Sequence, residues 1–235
     1  MGETVEFPSN GGTATGYLAL PPSGRGPGVI VIQEWWGIVH HIKDVCDRFA
    51  AAGFVALAPD LYHGTTTTEP DEAGKLIMSL QIDGAGRDMV GAGTWLAASE
   101  RTAGDRVGIV GFCAGGALAL YAATLSDVFA AVVAYYAGMG FVDRTQPHLE
   151  SLRGGAVLFH WGERDHSYDR GNTAQLEERL RAAGVDVESH WYSGADHAFF
   201  NDDRPEVHHP EHSRLSWERT LSFFRKHLAA TPAPV

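Results

Sequence analysis

Short, unbroken apolar runs alternate along this chain with longer stretches in which apolar residues return every three or four positions. The runs Gly28-Val29-Ile30-Val31-Ile32-Gln33, Phe54 to Ala58, Val107 to Gly111, Ala130 to Tyr136, Ala156 to Trp161 and Val185 to Tyr192 suit strands buried on both faces. Gly12 to Leu20 alternates more loosely and stops at Pro21-Pro22, so it is expected to be an edge strand. Ile42, Val45, Cys46 and Phe49 recur at helical spacing and Gly53 ends that helix. Further helices are expected over 72–80, 84–100, Ala114 to Leu125, Thr173 to Ala183 and 212–228, the last with Leu215, Leu221, Phe223 and Phe224 on its apolar side. Residues 64–71 read as a polar loop, and no internal repeat is visible. The alternation predicts an α/β fold, with a mostly parallel central sheet and helices on both faces. Ligands bind such sheets beyond the carboxyl ends of the strands, so chemistry is expected just after Gln33, Gly111, Trp161 and Tyr192.

Composition narrows the picture. A chain of 235 residues that is 44% apolar and 20% charged has enough material for one sizeable core, and one domain spanning 1–235 is expected. The net charge of −11 repels nucleic-acid phosphate and anionic lipid, so neither is expected as a partner. There are two cysteines, too few for a disulfide framework. The start Met1-Gly2-Glu3-Thr4-Val5-Glu6 carries no basic segment followed by an apolar run, and no apolar run approaches the roughly 20 residues of a membrane span. A cytoplasmic protein is expected, with oligomeric state (monomer or homodimer) left open.

The sharpest chemical signal is Gly111-Phe112-Cys113-Ala114-Gly115-Gly116, between a buried strand and an Ala-rich helix. A strand that turns at once into a helix strains one residue, and small neighbours two positions either side permit the turn. That residue projects from the top of the sheet beside the positive end of the helix, where a thiolate is favoured. The Ala114 N–H is the first candidate to hold a developing oxyanion. A buried structural cysteine is the plainer reading of a lone Cys; it suits Cys46, mid-helix and without glycine neighbours, and not Cys113. A thiol nucleophile needs a base and a group to orient it. Asp165, in Gly162-Glu163-Arg164-Asp165-His166, and His197, in Gly194-Ala195-Asp196-His197, follow successive strand ends in the chain order expected of such triads. His166 competes with His197, and Glu163 and Asp196 with Asp165, on sequence alone. The run His208-His209-Pro210-Glu211-His212 lacks a second ligand group at metal spacing and reads as solvated loop, so no metal or other cofactor is expected.

Together these residues resemble the dienelactone hydrolase (carboxymethylenebutenolidase) family of α/β-hydrolases over nearly the whole chain. The resemblance rests on Gln33-Glu34-Trp35-Trp36-Gly37, Ala58-Pro59-Asp60-Leu61-Tyr62, the Gly-Phe-Cys-x-Gly-Gly elbow, Asp165 in Gly-x-x-Asp and His197 in Gly-x-x-His. It implies an α/β-hydrolase fold and hydrolysis of a small carboxylic ester or lactone through a Cys113–His197–Asp165 triad and a thioester intermediate. It also implies an oxyanion hole from the N–H groups of Trp35 and Ala114, and a Glu34 carboxylate that meets the resting thiol and moves away when substrate arrives. Trp36, Tyr62, Phe199 and Asn201 are expected to bind substrate. The family's dienelactone-cleaving members hold the substrate carboxylate with two arginines. The corresponding positions here are Asn201 and, between 69 and 75, only Lys75, while Arg204 stands out of register. A thioesterase, another C–X hydrolase on the same elbow, or a ligand-binding member with a vestigial triad are the competing readings.

Overall fold

The computed structural model describes residues 2–138, 142, 146–152 and 155–229. Among the described residues, eight strands form one sheet in the order β1-β2-β4-β3-β5-β6-β7-β8. They are β1 (Glu3–Ser9), β2 (Gly12–Ala19), β3 (Gly28–Ile32), β4 (Val55–Pro59), β5 (Val107–Phe112), β6 (Phe129–Tyr135), β7 (Ala156–Gly162) and β8 (Asp186–Tyr192). From β4 to β8 every pairing is parallel, whereas β1–β2 and β2–β4 are antiparallel. β3, β4, β5 and β7 are buried at every position, which is why their sequences show no alternation. The fold is that of an α/β-hydrolase.

Among the described residues, the α-helices that cover the sheet are α1 (His40–Ala51), α2 (Pro70–Ser79), α3 (Ile82–Ala97), α4 (Ala114–Leu125), α5 (Arg170–Ala182) and α6 (Pro210–His227). A 3-10 turn covers Gln146–Leu152. α1 and α6 meet through Phe49, which lies 4.5 Å from the Trp217 ring and 5.9 Å from that of Phe224. α3 and α4 meet where Gly86 leaves no room for a Cβ beside Tyr121 and Leu125. Among the described residues, no helix is long and apolar enough to cross a membrane.

One strand expectation is corrected. Gly12 to Leu20 is not the edge: β1 pairs outside it in a hairpin whose register runs from Ser9↔Gly12 to Glu3↔Leu18. Asn10 and Gly11 form the two-residue turn with φ of 50° and 75°, the positive values that a tight hairpin requires. Pro8 cannot donate to a ladder, and its place in the outermost strand is where proline is tolerated.

Candidate active site

The site grows from the β5–α4 junction. Phe112 ends the strand, Ala114 begins the helix, and Cys113 alone makes the turn at φ 58° and ψ −123°. Such a backbone costs on the order of 1–3 kcal/mol and must be held by its surroundings. The holding is visible: Cys113 N–H donates to Tyr135 O (3.0 Å) and Cys113 O accepts from Gly116 N–H (3.0 Å). A Cβ on Gly111 would lie 1.9 Å from Gly115 O, and one on Gly115 would lie 2.2 Å from Gln33 O. Only glycine fits at either position, so strand, helix and the end of β3 are locked together. Tyr136 (φ 38°), just after β6, and Ala198 (φ 63°), just after His197, also take positive φ. Positive-φ non-glycine residues thus follow β5, β6 and β8 on the side of the sheet that carries the site.

His197 and Asp165 reach the same place from the loops after β8 and β7. A Cβ on Gly162 would lie 2.7 Å from Ala195 O, so those loops pack backbone to backbone. His197 Nδ1 lies 2.6 Å from Asp165 Oδ2. The other oxygen of Asp165, Oδ1, accepts from Ser167 N–H (2.8 Å) and Ser167 Oγ–H (2.6 Å). Burial works against the Asp165 carboxylate, but the hydrogen bonds from His197 and Ser167 prevail and hold its pKa below the ordinary value. Burial likewise pulls the His197 imidazole down; hydrogen bonds to Asp165 and Cys113 overcome it and push the pKa up to about 10. The competing groups turn elsewhere. His166 is exposed, Glu163 pairs with Arg170 (2.7 Å), and Asp196 pairs with Arg164 (3.4 Å). His209 caps α6, accepting from His212 N–H, and His212 Nε2 lies 2.8 Å from Ser193 O.

Cys113 and His197 open onto a cleft of about 210 Å³, whose other walls are Glu34, Trp35, Trp36, Ala198 and Arg204. Trp35 and Trp36 meet edge to face at 4.9 Å. The Ala114 N–H belongs to the first turn of α4, whose free amides carry the positive end of the helix dipole. Glu34 is almost wholly buried, and its two oxygens accept from Tyr136 Oη (3.3 Å) and Asn201 Nδ2 (2.8 Å). The loop from 198 to 204 is clipped to α1: Asp202 is bound by Arg48 and lies 3.4 Å from His41 Nδ1, and Asp203 lies 3.0 Å from His40. The contact with His41, above all, lowers the pKa of Asp202.

Several expected substrate contacts fall elsewhere. Phe199 is fully buried between the rings of Tyr136 and Tyr192 (5.6 and 5.0 Å), because the turn at Ala198 sends it inward. Asn201 is 2% exposed and holds Glu34 rather than facing the cleft. Tyr62 is buried, with its hydroxyl within electrostatic reach of Cys113. Lys75 pairs with Glu72 on exposed α2 (2.6 Å). Arg204, out of register in sequence, does reach the cleft wall, since the turn after His197 brings it back; its Nε donates to Glu206 (3.0 Å). The role of Tyr136 left no signal in sequence, because it acts by a contact between different strand ends, whereas Ser167 acts by a local turn onto Asp165, two residues before it.

The sheet and the loops at its strand ends are those of the α/β-hydrolase class. The family model described as "Dienelactone hydrolase family" matches residues 14–228, and the chain belongs to that family. It is 37% identical to "Protein usf" of Aquifex pyrophilus, over 97% of this chain and all of that one. It is 35% identical to a protein of Aquifex aeolicus named "Putative carboxymethylenebutenolidase", with the same coverage. The crystal structure of "Putative Dienelactone Hydrolase" from Klebsiella pneumoniae superposes with a TM-score of 0.84 at 29% identity, over 96% of this chain and 98% of that one. The chain is accordingly an ester or lactone hydrolase.

Proposed function

We propose that the chain cleaves a small carboxylic ester or lactone by covalent catalysis, with Cys113 as nucleophile, His197 as base and Asp165 as its orienting partner. The observation that carries this reading is the His197 Nδ1–Asp165 Oδ2 contact of 2.6 Å, with the same imidazole hydrogen-bonded to a strained Cys113 in one cleft. Nδ1 keeps its proton toward the carboxylate, and the basicity this lends the imidazole draws the proton of Sγ onto Nε2. The thiolate attacks the carbonyl carbon, and the N–H groups of Trp35 and Ala114 hold the oxyanion. Collapse breaks the C–O bond, and His197 returns its proton to the departing alkoxide. Water, deprotonated by His197, then attacks the thioester; the carboxylic acid leaves and the thiol is restored. In a lactone, the alkoxide and the acyl group belong to one molecule, so ring opening precedes hydrolysis.

The test is hydrolysis of small aryl esters and lactones by Cys113→Ala and His197→Ala. Each variant is expected to lose about 10²–10⁴-fold or more in kcat/KM. Activity within about tenfold of wild type in either would overturn the assignment.

A further inference from the structure

A second pocket, of about 560 Å³, lies between the β1–β2 hairpin, the loop after β4, the end of α2 and the first turns of α3. It shares no lining residue with the cleft of Cys113 and His197. Its size falls within the range of small-molecule sites, about 300–1,000 Å³. Part of the lining is apolar, with Leu61 and Ala85 buried and Leu76 and Leu80 half-buried. Two opposite charges complete it, Arg87 and Asp88, which are successive residues of α3. Side chains one position apart on a helix do not face each other, and among the described residues these two form no ion pair. Each is held instead by a neutral partner on the hairpin. Asp88 Oδ1 accepts from Ser9 Oγ (2.6 Å), and Arg87 Nε donates to Asn10 Oδ1 (2.5 Å). Asp88 is 7% exposed, and a carboxylate so buried normally meets a cation or several donors. Among the described residues, one hydroxyl is all that its side chain receives, and Oδ2 takes no hydrogen bond. The two Nη groups of exposed Arg87 are likewise uncommitted.

We propose that this pocket binds a small aliphatic α-amino acid as its zwitterion, with the ammonium on Asp88, the carboxylate on Arg87 and the side chain against the leucines. The unused valences select both ends of the ligand. An ammonium carries three donors and no acceptor, which suits Asp88 Oδ2. A carboxylate accepts two parallel bonds from a guanidinium whose terminal nitrogens are free. Two opposite charges that do not meet directly are bridged by a molecule carrying both on one short frame. Such a ligand adds no net charge, so the −11 of the chain does not oppose its entry as it would a simple anion. A plain amine would leave Arg87 unanswered and set a second cation beside it.

The site stands apart from the Cys113 reading, and binding rather than turnover tests it. Calorimetric titration of the full chain with L-leucine is expected to give a dissociation constant in the millimolar range or tighter. Isopentylamine lacks only the carboxylate, 4-methylpentanoate only the ammonium, and glycine only the side chain. Each is expected to bind at least about tenfold more weakly, because a site built for a polar or apolar group rejects the analogue without it. Arg87→Gln and Asp88→Asn are each expected to weaken leucine binding by about tenfold or more, while Cys113→Ala leaves it unchanged. No leucine binding in that range overturns the site, and so does equal binding of leucine and any of the three analogues. Leucine binding that survives undiminished in either charge variant overturns it as well. Arg87 is exposed, so Arg87→Gln decides the question even where Asp88→Asn fails to fold. Loss of leucine binding in Cys113→Ala would move the ligand to the other cleft and overturn the site too.

Discussion

Two histidines at the ends of neighbouring strands, His160 in β7 and His197 after β8, face opposite electrostatic worlds. His160 is fully buried, with Nδ1 2.8 Å from Tyr192 Oη and Nε2 3.0 Å from Thr220 Oγ1. Burial, then the nearby His190 and Arg219, hold its pKa well below the ordinary value. His197 is half-buried, and its pKa rises to about 10 because one partner is the Asp165 carboxylate and the other is Cys113. Both imidazoles make short hydrogen bonds. What separates them is the charge of the partner: neutral hydroxyls keep an imidazole neutral, while an anion invites the proton. The first arrangement is a structural pin between β7, β8 and α6; the second suits proton transfer.

The largest expected effect comes from making the second site resemble the first. Asp165→Asn keeps the shape but removes the charge, and is expected to lower kcat/KM for aryl esters by about 10²–10⁴-fold. A pH–rate profile unchanged from wild type would break the comparison. Next in size, His160→Leu strips one partner each from Tyr192 and Thr220 and is expected to cost about 1–3 kcal/mol in urea unfolding. It should leave the pH–rate profile of hydrolysis where it was.

The two histidines also pull stability in opposite directions with pH. His160, with a lowered folded pKa, contributes stability that is present above its unfolded value near 6.5 and is lost as pH falls below it. His197, with a raised folded pKa, contributes stability present below about 6.5 and lost as pH rises toward about 10. Each limb has a slope of at most about 1.4 kcal/mol per pH unit. Urea titrations between pH 5 and 9 should therefore lose the acid limb in His160→Leu and the alkaline limb in Asp165→Asn. The smallest expected effect is that of Ser167→Ala. It removes the 2.6 Å hydroxyl bond to Asp165 and leaves the 2.8 Å backbone bond. A loss of about threefold to tenfold in kcat/KM is expected; none at all would mean that the backbone N–H alone fixes the carboxylate.

The layered fold was legible because buried parallel strands need unbroken apolar runs, and β3 to β7 have them. The β1–β2 hairpin was legible in principle from Asn10-Gly11, but Pro8 and the weak alternation of residues 3–9 hid the strand. At the site, the elbow and the strand-end positions of Asp165 and His197 could be read because they obey local rules: glycines flanking a turn, and polar residues beyond a buried run. Phe199 could not be assigned from sequence, since a single backbone reversal at Ala198 decides whether it faces ligand or core. Asn201 and Arg204 exchanged their expected places for the same reason: the loop clipped to α1 by Asp202 turns one inward to Glu34 and the other out to the cleft.

Sequence alone thus determined which residues could be buried, where the chain turns sharply, and which chemically active side chains arrive at the carboxyl ends of strands, for these depend on neighbours a few positions away. Only the tertiary structure decided which of those side chains touch. Partner identity sets whether His160 or His197 holds a proton and whether Glu34 is held. Those partners lie tens of residues apart in sequence, joined through packing that no local pattern encodes.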